Sequence, residues 1–244
     1  RDMQLAFFKS GVPHLDIPQD HAFVAALDNY AEKYNITYIL NGGNISTEVV
    51  VNPNAWSYWG TDMRHIKDIL SQFGTVPIET YPFTNIFKRK IFMPYIKRIK
   101  VVKLLNYIPY VKKEAEELLK NEYGWEPYPQ KHFESIMTKF LEGYWLPERF
   151  GYDIRKAQFS SLILTGQMSR EEALEKLKEP PLSEEESAKL FTQVAKMLEI
   201  SEEELHSYLT MPLKTYKDYK NQSSIIAIGS KILYFLKIDK LIRK

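Results

Sequence analysis

The amino-acid sequence predicts an α/β protein: an incomplete parallel-sheet half-domain over residues 1–105, followed by an all-helical domain over residues 106–244. Three observations carry this. Helical and β-branched runs alternate in the first part, the grammar of a parallel sheet. Three Ser-x-x-Glu boxes in the second part mark helix starts (Ser169/Glu172, Ser183/Glu186 and Ser201/Glu204). Only two strand candidates occur, whereas parallel sheets are buried on both faces and usually have four or more strands. The first part therefore reads as the closing half of an α/β domain, with a complete small α/β unit as the alternative.

The elements follow in order. Arg1 to Lys9 reads as a helix body closed by Gly11. Asp20 to Tyr34, entered through Pro18, places Phe23, Ala26, Leu27, Tyr30 and Ala31 on one face expected to be buried. Ile36 to Leu40 reads as a buried strand leading into Asn41-Gly42-Gly43-Asn44. Helices are expected over Asp62–Gln72 and Ile86–Ile96, and a second strand over Ile99–Leu105. Beyond residue 106, helices are expected over Lys112–Glu122, Phe133–Tyr144 and Asp153–Leu164, and after each capping box, with Pro180-Pro181 separating the first two.

Composition bounds the function. With 44% hydrophobic and 26% charged residues and a net charge of +2, the 244-residue chain is neither disordered nor globally attracted to polyanions. It has no cysteine, which excludes disulfides, thiolate catalysis and Cys-ligated zinc within it. The five histidines show no metal spacing, and no Walker loop, nucleophile elbow or dinucleotide fingerprint is present. No signal peptide or 18-residue apolar run is read, so a cytoplasmic protein without a transmembrane span is expected.

Four segments could carry chemistry. Tyr38 to Glu48 follows a strand, where α/β proteins bind ligands. Its glycines would let a ligand approach the backbone, and a helix starting at Ser46–Glu48 would favour an anion; the alternative is a tight turn with glycines at positive φ. Asp20 and His21 open a helix at the same sheet edge; in isolation Asp20 reads better as a cap, with His21 a first-turn residue that binds no ligand. Lys88, Arg89, Lys90, Lys97, Arg98, Lys100 and Lys103, interleaved with Phe87, Phe92 and Tyr95, fit a diphosphate contact, a nucleic-acid patch or a solvated face. Ile225 to Lys244 mixes apolar and basic residues; docking on the helical region is expected, with a membrane surface as the alternative.

Several motifs carry a resemblance. Arg1 to Pro13, Ile17-Pro18-Gln19-Asp20-His21, Asn41 to Glu48, Glu142 to Pro147, Phe150 to Arg155, Ser160 to Met168 and Lys214 to Tyr219 resemble the N-acetyl sugar amidotransferases. These form the lipopolysaccharide-biosynthesis branch of the PP-loop ATP pyrophosphatases. The resemblance implies that ATP adenylates the amide oxygen of an acetamido group on a UDP-linked diacetamido sugar, releasing pyrophosphate. Ammonia then displaces AMP and leaves an acetamidino group. The implied partners are a glutaminase and a cyclase-like ammonia-channel protein, with no nucleic acid.

The family's Ser-Gly-Gly-x-Asp-Ser phosphate loop and zinc-binding cysteine cluster occur nowhere in this sequence. Both are expected upstream of Arg1, and the chain alone is expected not to hydrolyse ATP. Residues 43–48 stand where many PP-loop enzymes carry Gly-His-x-x-Asp-Asp, with Asn44 for the His and Thr47-Glu48 for the acidic pair. The resemblance thus implies Gly42, Gly43, Asn44, Ser46 and Thr47 as ATP-phosphate residues and Glu48 as catalytic and a Mg²⁺ ligand. It also implies that Asp20 and His21 orient the acetamido group or ammonia. Arg155 and Lys156, at a helix start, are expected to meet the UDP diphosphate. Two other classes remain open: a PP-loop tRNA-modifying protein gripping RNA through its basic helical region, and a non-catalytic scaffold for the glutaminase pair.

Overall fold

A computed structural model describes residues 1–48, 53 and 56–235. The architecture is mixed α/β, mostly helical, with one two-stranded parallel sheet. Helix α1 (Asp2–Ser10) is closed by Gly11, whose φ of 73° is the left-handed cap expected of it. Helix α2 (Ile17–Lys33) starts one turn earlier than the sequence suggested, with Pro18 in its first turn. Strand β1 (Tyr38–Asn41) pairs in parallel with β2 (Lys100–Lys103), in the register Tyr38↔Lys100 to Asn41↔Lys103.

Between the strands lie α3 (Met63–Phe73) and a π-helix over Lys88–Ile96. The Asp62 carboxylate caps α3 by accepting from the Arg64 and His65 amides at 3.0 and 3.1 Å. Pro94 inside the second helix accounts for its widened winding, since proline removes one ladder donor. Helix α4 (Lys112–Tyr123) follows. A continuous helix then runs from α5 (Ile136–Phe140) through a π-turn (Leu141–Trp145) into α6 (Leu146–Phe150). The remaining helices are α7 (Arg155–Leu164), α8 (Arg170–Lys176), α9 (Glu184–Leu198), α10 (Glu202–Thr210) and α11 (Ser223–Phe235).

The first two capping boxes are reciprocal. The third is half-made: the Ser201 hydroxyl accepts the Glu204 amide at 3.1 Å, but the Glu204 carboxylate is taken by the Tyr208 hydroxyl at 2.5 Å. A neighbour four residues on has displaced the back-bond.

The expected face of α2 is a correction. Phe23, Leu27 and Tyr30 are 59%, 55% and 59% exposed, and Ala31 alone of the five predicted residues is buried. The helix instead buries His21, Ala25 and Asp28. Two polar anchors decide its rotation: His21 bonds the Gly60 carbonyl and the Thr84 amide, and Asp28 pairs with Arg89 at 2.5 Å. Both strands are also largely exposed, against the expectation of a buried sheet.

Residues on both sides of position 106 share one core. Phe7 and Phe8 of α1 and Ile66 and Ile69 of α3 pack with Phe140, Trp145, Val194, Leu198 and Leu205. Phe8 meets Trp145 edge-on at 4.8 Å. Most of the basic stretch is absorbed structurally: Lys88 and Lys97 pair with Glu32, Arg89 with Asp28, and Lys90 lies over Trp59.

Candidate functional site

A cavity of about 770 Å³ opens at the carboxyl ends of both strands. The last paired residues, Asn41 and Lys103, line it together with Gly42, Gly43 and Glu48. This is the edge at which open α/β sheets bind ligands. The opposite wall comes from Asp16 and Asp20 at the α2 start, Lys131 and His132 before α5, Glu142 in the π-turn, and Gln158 on α7.

The glycine turn is built by side chains. Asn41 Oδ1 accepts the Gly43 amide at 2.7 Å, an Asx turn. A Cβ on Gly43 would lie 2.7 Å from that same oxygen, so close approach rather than positive φ demands glycine there. Neither Gly42 nor Gly43 has positive φ. Buried Asn44 staples the following turn: its Oδ1 accepts the Thr47 amide and its Nδ2 donates to Thr47 Oγ1, both at 2.8 Å. Ser46 lies half-buried within that turn. The helix expected from Ser46–Glu48 would continue into residues outside those described.

Lys131 connects the two walls. Its ammonium donates to the Thr47 carbonyl at 2.7 Å and to Glu48 Oε1 at 2.9 Å. Next to it, His132 adopts φ = 68°, a left-handed conformation uncommon for a non-glycine residue. His132 Nδ1 meets Glu142 Oε1 at 3.0 Å, while Glu142 Oε2 is buried without a partner among the described residues. A strained backbone and a π-turn converge on this one ion pair, and both features concentrate at functional sites.

The electrostatics are set by the same groups. The Glu142 bond raises the His132 pKa above its ordinary value, against the opposing effect of burial. Asp16 is open to the cavity but walled by protein elsewhere, and that enclosure, aided by Asp20, pushes its carboxyl up to about 6. Asp20 is raised as well, by burial first.

His14 lines the cavity floor and bonds buried His65 Nε2 to Nε2 at 2.9 Å. Burial pushes the two imidazoles down to about 3 and about 4, so both are neutral near pH 7. Trp56, stacked on Tyr152 at 5.0 Å, and Tyr58, stacked on Tyr216 at 4.3 Å, supply aromatic lining.

Gly42, Gly43, Glu48 and Asp20 thus share one cavity, and Asn44 and Thr47 shape its rim. His21 does not reach it. Its Nδ1 donates to the Gly60 carbonyl at 2.6 Å and its Nε2 accepts the Thr84 amide at 3.1 Å, leaving neither nitrogen free. Arg155 is buried and bonds Asp153 at 2.7 Å and the Lys176 and Glu179 carbonyls. It borders a neighbouring cavity of about 360 Å³, which Thr47, Lys131 and Gln158 also line, while Lys156 faces solvent. Sequence reading missed Asp16, Lys131, His132 and Glu142. Glu142 stood in a quoted motif, but nothing in the spacing places His132 against it.

The fit of nucleotide and metal is incomplete. The amides of Gly43, Ile45, Thr47 and Glu48 are already bonded within the turn and to Asn106. Glu48 is paired with Lys131, and no three His, Asp or Glu residues among those described group to hold a metal.

Residues 134–233 match the family model described as "LPS biosynthesis protein WbpG-like, C-terminal domain". Searches among curated proteins and among solved structures give no match. The matched segment contains α5 to α10, most of α11 and, of the cavity lining, Glu142 and Gln158; Asp16, Asp20, Lys131 and His132 lie outside it.

Proposed function

We propose that this chain forms part of a lipopolysaccharide-biosynthesis enzyme that converts an acetamido group on a UDP-linked sugar into an acetamidino group, using ATP and ammonia. Support comes from the match over residues 134–233 and the motif resemblance in both halves. One observation carries the reading: the glycine turn after β1 and an acid-histidine wall face one cavity at the strand ends. Under this reading the phosphate loop, which does not occur in this sequence, is supplied by another part of the enzyme. The nucleotide and Mg²⁺ do not find a complete site in the residues described.

The wall suits the nitrogen chemistry. An amide carbon resists ammonia until its oxygen becomes a leaving group, which is what ATP supplies. Ammonia attacks only as the free base, and the amidine product is a cation. Asp16 and Asp20 provide negative charge for ammonium before the step and for amidinium after it. His132, whose pKa the Glu142 bond raises, accepts the proton that ammonia must lose. Trp56 and Tyr58 offer flat faces to the uracil or sugar. His21 positions the Gly60 segment rather than touching substrate.

His132→Gln in the enzyme containing this chain tests this directly. Amidination should fall about 10²–10⁴-fold with ammonia as donor, while sugar binding stays within a few-fold. Unchanged turnover would refute the assignment.

A further inference from the structure

Helix α11 ends the described chain with an apolar surface that no described residue covers. Ile225, Ile228 and Ile232, spaced three and four apart, are 59%, 59% and 53% exposed. The docking expected of this segment is therefore not made by these residues. An apolar helix face of this kind needs a non-aqueous neighbour, since burying isoleucine side chains away from water is favourable.

The charge pattern names the neighbour. Residues 223–244 carry Lys231, Lys237, Lys240, Arg243 and Lys244 against Asp239 alone. The apolar run Ile225–Leu236 holds Lys231 at its middle and meets Lys237 at its end, which is too short and too charged for a span but suited to an interface. Among the described residues no helix is long and apolar enough to cross a membrane. A second copy fits less well. Ile225, Ile226, Ala227 and Ile228 are consecutive and do not form a narrow seam, and pairing would bring two cationic segments together.

We propose that α11 lies in the surface of an anionic lipid bilayer, its isoleucines at the acyl boundary and the flanking lysines and arginine on the headgroups. The partner is the lipid surface itself, and the inference stands apart from the amidination reading. Residues 1–244 are mixed with vesicles of equal parts phosphatidylglycerol and phosphatidylcholine, or of phosphatidylcholine alone, and sedimented. Binding is expected to the anionic vesicles only, to weaken with salt, and to fall about tenfold or more in Ile228→Asp.

Because the chain has no cysteine, a fluorophore on Ile228→Cys reports its surroundings cleanly. It should shift to the blue on anionic vesicles, while one on Gln193→Cys, exposed on α9, should not. Absence of vesicle binding, equal binding by Ile228→Asp, or self-association that buries the Ile228 label without lipid would overturn the proposal.

Discussion

Glu142 sets the protonation range of His132, and this makes the pH dependence of the site predictable. Under the proposed function His132 is a general base and must be neutral, so amidination should rise with pH through the raised His132 pKa. Glu142→Gln removes the group that raises it, so the limb should move toward acid while the maximal rate falls; a pH–rate profile reads both, and a fixed limb would detach Glu142 from the base. Asp16 gives the opposite kind of signal. A carboxyl raised to about 6 in the folded protein and ordinary in the unfolded chain loses stability as pH rises from about 4 through 6. Asp16→Asn should therefore raise the melting free energy at pH 7 by about 1 kcal/mol, discounted for solvent in the cavity, and slow turnover. A destabilised variant would contradict that sign. Glu48→Gln should lower turnover far more than stability, because the half-exposed pair with Lys131 contributes only about 0–1 kcal/mol. At this scale Asp20, Gly42, Gly43 and Glu48 were legible in the sequence because strand-end and helix-start signals are local. Lys131 and His132 were not: they reach the cavity through a loop and, for His132, a left-handed backbone that no propensity encodes.

Helix starts at Asp62 and at the three boxes were legible for the same local reason, since Asp62, Ser169, Ser183 and Ser201 all cap, whereas the helix expected from Phe133 begins at Ile136 behind the Ser135 cap. Helix rotation and winding were not. The apolar stripe Phe23–Leu27–Tyr30 lost to the polar anchors of His21 and Asp28, whose partners lie 39 to 63 residues away. The π-turn at Leu141–Trp145 was equally silent, though it presents Glu142 to the cavity. Gly143 within it is closely packed: a Cβ would sit 2.7 Å from Leu182 Cδ1 and 3.1 Å from Phe133. Gly143→Ala should therefore cost about 1–3 kcal/mol by overpacking and disturb Glu142 beyond that loss. Denaturant unfolding alongside the His132 titration separates the two effects. A neutral substitution would mean that the turn has room to relax.

Across the molecule, one core joins α1 and α3 to α5, α9 and α10, so residues 1–105 and 106–235 are coupled by Phe7, Phe8, Trp145 and Leu198. The sequence separated these regions by periodicity, which reports local structure and is blind to packing between segments more than 130 residues apart. The buried His14–His65 pair lies where this core meets the cavity. Both imidazoles are depressed, so the unfolded chain binds the extra protons: stability is full above about pH 6.5 and falls as pH drops toward 4 and 3. The slope should approach about 1.4 kcal/mol per pH unit for each histidine and should largely vanish in a His14→Gln, His65→Gln double variant. A wild-type melting curve flat between pH 7 and 5 would contradict the burial. The faces of β1, β2 and α2 are largely exposed, while the cavity at the carboxyl ends of the strands is walled by described residues. Photo-crosslinking decides whether that cavity is where the sugar binds. A UDP-sugar with a diazirine on its acetamido methyl should label peptides containing Asp16–Asp20, Asn41–Glu48 and Lys131–Glu142, in competition with unlabelled sugar. Saturable labelling confined to the groove of Arg64, Lys67 and Lys220, or none that the sugar displaces, would contradict it.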